Sequence, residues 1–304
     1  MNASRSAWRI GTITLASLAL SAAVPGVGAA QSEIDTLLAV TEETRLELHD
    51  LRGDITIRTW DRDFVRLVAD AAARGAIRIQ VGGRVLAIHG ESWNQRRKIK
   101  EALDYRLTVP VAMDLSIHGL DSDVTIEETR GRVEVGTVRG DIKVRGGRTL
   151  VQLQSVQGSV DLVGARASVE AQSVNQPVQV TDVTGELKVT SVNGGVVLSE
   201  VDSRSVEATT INGAVRYRGT LHADGRYSLS THNGPIDITV PAGTNASVHV
   251  STFNGRIEAD FPIAISELQR GKEMRFTLGS GGARIELASF NGTVWLRRPE
   301  QPRP

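Results

Sequence analysis

Residues 190–198, TSVNGGVVL, have the form of a hairpin tip. An Asn-Gly pair, tolerant of positive φ, sits between apolar alternations. Close variants recur along the chain: QSVQGSVDL, QSVNQPVQV, TTINGAVRY, STHNGPIDI, STFNGRIEA and ASFNGTVWL. Aligned on the residue before the usual glycine, the phrases fall at Arg139, Gln157, Asn175, Asn193, Asn212, Asn233, Asn254 and Asn291. Their steps are 18, 18, 18, 19, 21, 21 and 37 residues. Three residues on, every phrase has a β-branched side chain: Ile142, Val160, Val178, Val196, Val215, Ile236, Ile257 and Val294. Two further on stand Val144, Leu162, Val180, Leu198, Tyr217, Ile238, Ala259 and Leu296. The position between them is mostly polar: Lys143, Asp161, Gln179, Val197, Arg216, Asp237, Glu258 and Trp295. Such in–out–in alternation marks a strand with one buried face.

A second strand lies nine residues before the first, at Val133, Val151, Val169, Leu187, Val206, Tyr227, Val248 and Ile285. Each unit therefore holds two short strands and two turns. Units of this length bury an apolar face only by stacking on their neighbours. The pattern predicts an all-β, single-stranded β-solenoid or β-roll with coils of about 18–21 residues. The rival is an antiparallel meander of Asn-Gly hairpins, for which the turn signals are genuine.

In stacked coils, equivalent residues lie roughly 4.8 Å apart. Asn175, Asn193, Asn212, Asn233, Asn254 and Asn291 would then form a ladder in which each amide bonds the next. Gly140, Gly158, Gly194, Gly213, Gly234, Gly255 and Gly292 would take a left-handed corner without Cβ strain. A Ser/Thr column two residues before the Asn column suggests a second polar stack at the same corner. Gln176 departs from the rule, placing a side chain in a glycine slot. All these residues are expected to be structural.

The bulk properties narrow the function. Residues 1–30 have Arg5 and Arg9, an apolar run and a small-residue end at Ala29–Ala30, the layout of a cleaved secretory signal peptide. The apolar run is shorter than a membrane span needs, and no span is expected after cleavage. Basic and acidic residues balance at 35 each, which argues against a nucleic-acid partner. With no cysteine, neither a disulfide framework nor a cysteine-linked lipid is available. Residues 31–120 read as an N-terminal cap and irregular β region, 121–298 as the regular solenoid and 299–304 as a disordered tail. Within this plan, 58–114 and 260–282 lose the period, and stacked repeats need atypical ends that cover their edges.

The stretch GDITIRTWDRDFVRL, the run of Asn-Gly turns and the closing LGSGGARIELASFNGTVWL resemble a bacterial domain-of-unknown-function family labelled "putative adhesin", toast-rack-like solenoids of the envelope. The resemblance spans roughly residues 40–298 and implies a β-solenoid in or outside the cell envelope. It brings no catalytic residues.

Sequence motifs for chemistry are absent. The six histidines form no metal-ligand spacing, and no nucleophile elbow or phosphate loop occurs. No cofactor or metal is implied. An acid pair in one outward column, Asp237 and Glu258, keeps open a polysaccharide-active enzyme on a β-helix. Two Arg-Gly-Asp triplets, at 52–54 and 139–141, occupy corner slots where Gly is required anyway. The basic run Arg96-Arg97-Lys98 reads as a solvated loop that could touch anionic lipid or glycan. The expected role is a non-catalytic, exported binding or scaffold module, periplasmic or at the cell surface. Its partner would be an envelope protein, a glycan or another copy of the chain.

Overall fold

The computed structural model describes residues 34–69, 77–90, 102–263, 265–269 and 272–299. The segment 1–30 and the run Arg96–Lys98 lie outside the described residues. The described residues form 25 β-strands and no helix.

The strands run in two stacks. The first, in spatial order, is β5 (Ile77–Gly82), β6 (Val85–Gly90), β2 (Arg45–Arg52), β8 (Leu115–Asp121), β10 (Val133–Thr137), β12 (Arg148–Ser155), β14 (Arg166–Ser173) and β16 (Leu187–Ser191). It continues through the C-terminal halves of β17 (Val196–Thr210) and β18 (Val215–Thr231) to β24 (Ala283–Ser289), β20 (Ala246–Thr252), β23 (Lys272–Leu278) and β22 (Ile265–Gln269). The second begins with β1 (Ile34–Ala39), β4 (Phe64–Ala69), β7 (Tyr105–Pro110), β3 (Ile55–Trp60), β9 (Val124–Thr129), β11 (Ile142–Gly146), β13 (Val160–Val163) and β15 (Val178–Thr181). The N-terminal halves of β17 and β18 follow, then β19 (Ile236–Thr239), β25 (Val294–Arg297) and β21 (Ile257–Ala259).

Every pairing in the interior of both stacks is parallel, and the middle registers advance by 18 residues, as in Val133↔Val151 and Asp161↔Gln179. Antiparallel strands occur only toward the ends, where β1, β4, β5, β22 and β23 cover edges that would otherwise template further pairing. The inward residues of both stacks merge into one hydrophobic core.

Chain order and spatial order part company at both ends. The excursion after β3 brings β6 and β7 back outside β2 and β3, so the first coil is covered by a later one. At the other end, β24 and β25 slot between β18–β19 and β20–β21. The 37-residue final step in the sequence is the length needed for the β22–β23 hairpin to fold out and the chain to return inside.

The corner glycines adopt no left-handed φ; that expectation is overturned. A Cβ on Gly158 would instead collide with the carbonyl oxygen of Gly140, and one on Gly194 with that of Gln176. At these two positions the coil beneath approaches too closely for a side chain. Left-handed residues stack at the opposite corner: Glu128 (φ 59°), Gly146 (91°), Gly164 (76°), Asp182 (51°) and Glu200 (54°).

Candidate functional site

The Asn-Gly corner is built from inside out. Ser155 Oγ donates to the Gly140 carbonyl at 3.0 Å and accepts from the Gly158 N–H at 2.9 Å. Ser173 and Ser191 do the same one and two coils further, serving Gly158 and Gln176 as acceptors. Thr210, Thr231, Ser289 and Thr252 extend the donor series. These hydroxyls are buried, and a buried polar group without a partner is costly. The column therefore ties each corner to the coil beneath it. Gln176 keeps both backbone bonds of its slot and turns its side chain to solvent.

Outside this layer the asparagine amides bond one another. Asn193 donates to Asn175 at 2.9 Å, Asn212 to Asn193 at 2.9 Å and Asn233 to Asn212 at 2.8 Å. The last two rungs follow spatial order: Asn291 donates to Asn233 and Asn254 to Asn291, at 2.8 and 3.0 Å. Asn254 thus meets Asn291, not Asn233 as chain order suggested.

Beside the asparagines runs a ridge made by the preceding residue of each corner: Leu120, Val138, Val156, Val174, Val192, Ile211, His232, Phe290 and Phe253 in spatial order. Its far end is aromatic and exposed. His232 stacks on Phe290 at 4.7 Å and Phe290 on Phe253 at 4.8 Å. Ile211 is 47%, Phe290 43% and Phe253 67% exposed. The ridge walls a groove of about 780 Å³ whose floor is the in-register row Thr209, Ser230, Ala288 and Ser251. Thr209 and Ser230 share a hydrogen bond at 3.0 Å. Glu273 closes the groove, held by His249 at 2.8 Å and Arg275 at 2.6 Å.

The acid pair is not brought together. Trp295 pairs with Asp237 on one side and Glu258 on the other, so a whole strand separates the carboxylates. Asp237 is also engaged by Arg297 at 3.0 Å. The adjacency expected from sequence fails because β25 threads between their strands. In the two Arg-Gly-Asp triplets, Arg52 and Arg139 both turn to Asp121, at 3.2 and 3.3 Å.

The histidines hold a surprise. His49, His89 and His118 stack as one outward column, with ring centroids 5.2 and 5.1 Å apart. The motifs LELH, LAIH and LSIH carry the signal, since each histidine follows the same apolar pattern. Burial, followed by the two neighbouring rings, lowers the pKa of His49. Next to it Asp50 is buried, and desolvation raises its carboxyl to about 6 despite bonds from the Leu51 and Arg52 N–H groups and Tyr105. Among the described residues no three His, Cys, Asp or Glu side chains are grouped to hold a metal ion. No helix among them is long and apolar enough to cross a membrane.

Two parallel stacks over a single apolar core, with buried hydroxyls linking successive corners, define an all-β repeat protein of the toast-rack class. The chain belongs to the Toastrack DUF4097 family, whose model matches residues 43–297. Similar solved structures include a putative adhesin from Bacteroides fragilis, at 12% identity and a TM-score of 0.44, covering 90% of this chain and 100% of that one. Another is a putative adhesin from Parabacteroides merdae, at 10% identity and a TM-score of 0.38, covering 88% and 97%. The comparison with curated proteins finds no match.

Proposed function

We propose that the chain is a non-catalytic binding module of the cell envelope, exported by its N-terminal segment and built as a β-solenoid of about 18–21-residue coils. In this reading the asparagine ladder and Ser/Thr column are the spine of the scaffold, and the exposed ridge is the surface that meets a partner. The observation that carries it is the ring column His232, Phe290 and Phe253 beside Ile211, exposed on a corner whose asparagine amides bond one another. Rings fixed by stacking lose little entropy on binding, and their apolar surface gains by leaving water. The hydroxyl floor and Glu273 add polar selectivity.

The test uses the purified chain lacking residues 1–30 and isolated envelopes of the cells that make it. Saturable binding that Ile211→Ser/Phe253→Ser weakens at least about fivefold, roughly 1 kcal/mol, with unchanged melting, supports the reading. Equal binding by the variant moves the function off the ridge. Turnover of an envelope polysaccharide by the unmodified chain contradicts the non-catalytic assignment.

A further inference from the structure

At the corner opposite the asparagines, the repeat places a different column. Arg130, Arg148 and Arg166 recur every 18 residues in the sequence. Arg148 and Arg166 are in register on β12 and β14, while Arg130 enters the same turn where the ladder departs from its 18-residue register, the Arg148 N–H donating to the Gly131 carbonyl at 3.1 Å. The backbones of Arg148 and Arg166 thus lie one strand spacing apart, roughly 4.8 Å, and Arg145 stands beside them on β11. All four line a groove of about 600 Å³ along the left-handed corner, together with Trp60, Asp61 and Glu128.

Arg166 illustrates what a structural arginine does here. It donates to the Asp182 carbonyl at 2.9 Å and pairs with its carboxylate at 3.1 Å. Arg130, Arg145 and Arg148 are exposed and, among the described residues, have no ion pair. Like charges gathered along one groove repel one another, and only two acids line it against four arginines. A stable fold has no need of that arrangement, whereas an anion laid along the column relieves it.

We infer that this groove is a binding site for a linear acidic polysaccharide, with Arg130, Arg145 and Arg148 contacting its charged groups. Guanidinium groups bind carboxylate, sulfate or phosphate oxygens by charge-assisted, often bidentate, hydrogen bonds. Several cations spread along one groove select a ligand whose charges recur along a chain. A concave groove with two acids in its lining suits a single strand of sugar better than a flat anionic membrane. The balanced charge of the whole protein lacks the broad basic face that nucleic acid demands. The site is separate from the aromatic ridge and stands or falls without it.

The experiment measures binding of the chain lacking residues 1–30 to polygalacturonate, dextran sulfate and neutral dextran by affinity electrophoresis at low salt. Three proteins are compared: the unmodified chain, Arg130→Gln/Arg145→Gln/Arg148→Gln, and a control, Arg226→Gln/Arg284→Gln. The control removes two exposed arginines that are in register elsewhere on the stack. The expected result is salt-sensitive retention by at least one acidic polymer and none by neutral dextran. The triple variant should lose at least about tenfold in affinity, equivalent to one charge-assisted contact, and the control should bind as the unmodified chain does. All three substituted sites in the triple variant are solvent-facing, so thermal melting should be unchanged. Retention of full affinity by the triple variant, equal loss in the control, or no binding to either acidic polymer overturns the inference. Binding only to vesicles containing anionic phospholipid also overturns it, assigning the column to a membrane instead.

Discussion

Ser155 and Ser122 are both buried at the asparagine corner, in different slots and with opposite consequences. Ser155 Oγ serves a carbonyl below and an N–H of its own corner. Ser122, in a glycine slot, is the buried residue whose hydroxyl finds no partner among the described residues. Ser155→Ala should therefore cost about 1–3 kcal/mol by stranding two buried backbone groups, while Ser122→Ala should be neutral or slightly stabilising. Chemical denaturation of the two variants checks the contrast. Asp50 gives a pH-resolved test. Its folded pKa, about 6, lies above the usual carboxylate value near 4. Between about pH 4 and 6 the fold holds a proton that the unfolded chain has released, so the cost to stability builds up over that window, is full above pH 6, and vanishes where both states are protonated. Asp50→Asn should raise stability by roughly 1–2 kcal/mol at pH 7, with the gain fading as the pH falls toward 4; a gain independent of pH would contradict the assignment. At this scale the sequence reveals columns more readily than roles. The Ser/Thr column is visible by eye, but its double bonding depends on which carbonyl lies beneath. For the same reason the corner glycines invite an explanation by φ, when the cause is the neighbouring coil.

Strands in the middle of the chain are legible because alternation and an 18-residue step agree. Both predicted strands appear in each of the middle units, with Val160, Val178 and Val196 fully buried. At the ends a local pattern says nothing about which coil lies next to which. The threading of β24 and β25 depends on the path of residues 260–282, whose pattern has no period. This is why Asp237 and Glu258 looked adjacent and are not. The histidine stack was hidden likewise, since His89 comes from a strand that returns beside β2 after an excursion. The threading predicts a cross-link pattern. Ser230→Cys/Ala288→Cys joins parallel neighbours and should oxidise to a disulfide in the folded chain. Ser230→Cys/Ser251→Cys has β24 between its two strands and should not. Mobility on non-reducing gels distinguishes the two.

Across the whole molecule, one corner fixes the coils together while the surfaces remain free to vary. Buried hydroxyls and an exposed amide ladder hold one side of the stack. The ridge and the arginine-lined groove then lie at opposite turns of the same repeat. The central claim beneath this picture is that successive coils lie parallel and in register. Asp161 and Gln179 test it most directly, facing each other on β13 and β15. Their Cα atoms should be roughly 4.8 Å apart, inside the range of about 4.4–6.8 Å that a disulfide spans. The chain has no cysteine of its own to compete. In a chain of hairpins the partner of Asp161 would be Gln154, across the Gln157-Gly158 turn. The account predicts that Asp161→Cys/Gln179→Cys forms an intramolecular disulfide in the native protein and that Gln154→Cys/Asp161→Cys does so poorly. Efficient bridging of the second pair and failure of the first would contradict it.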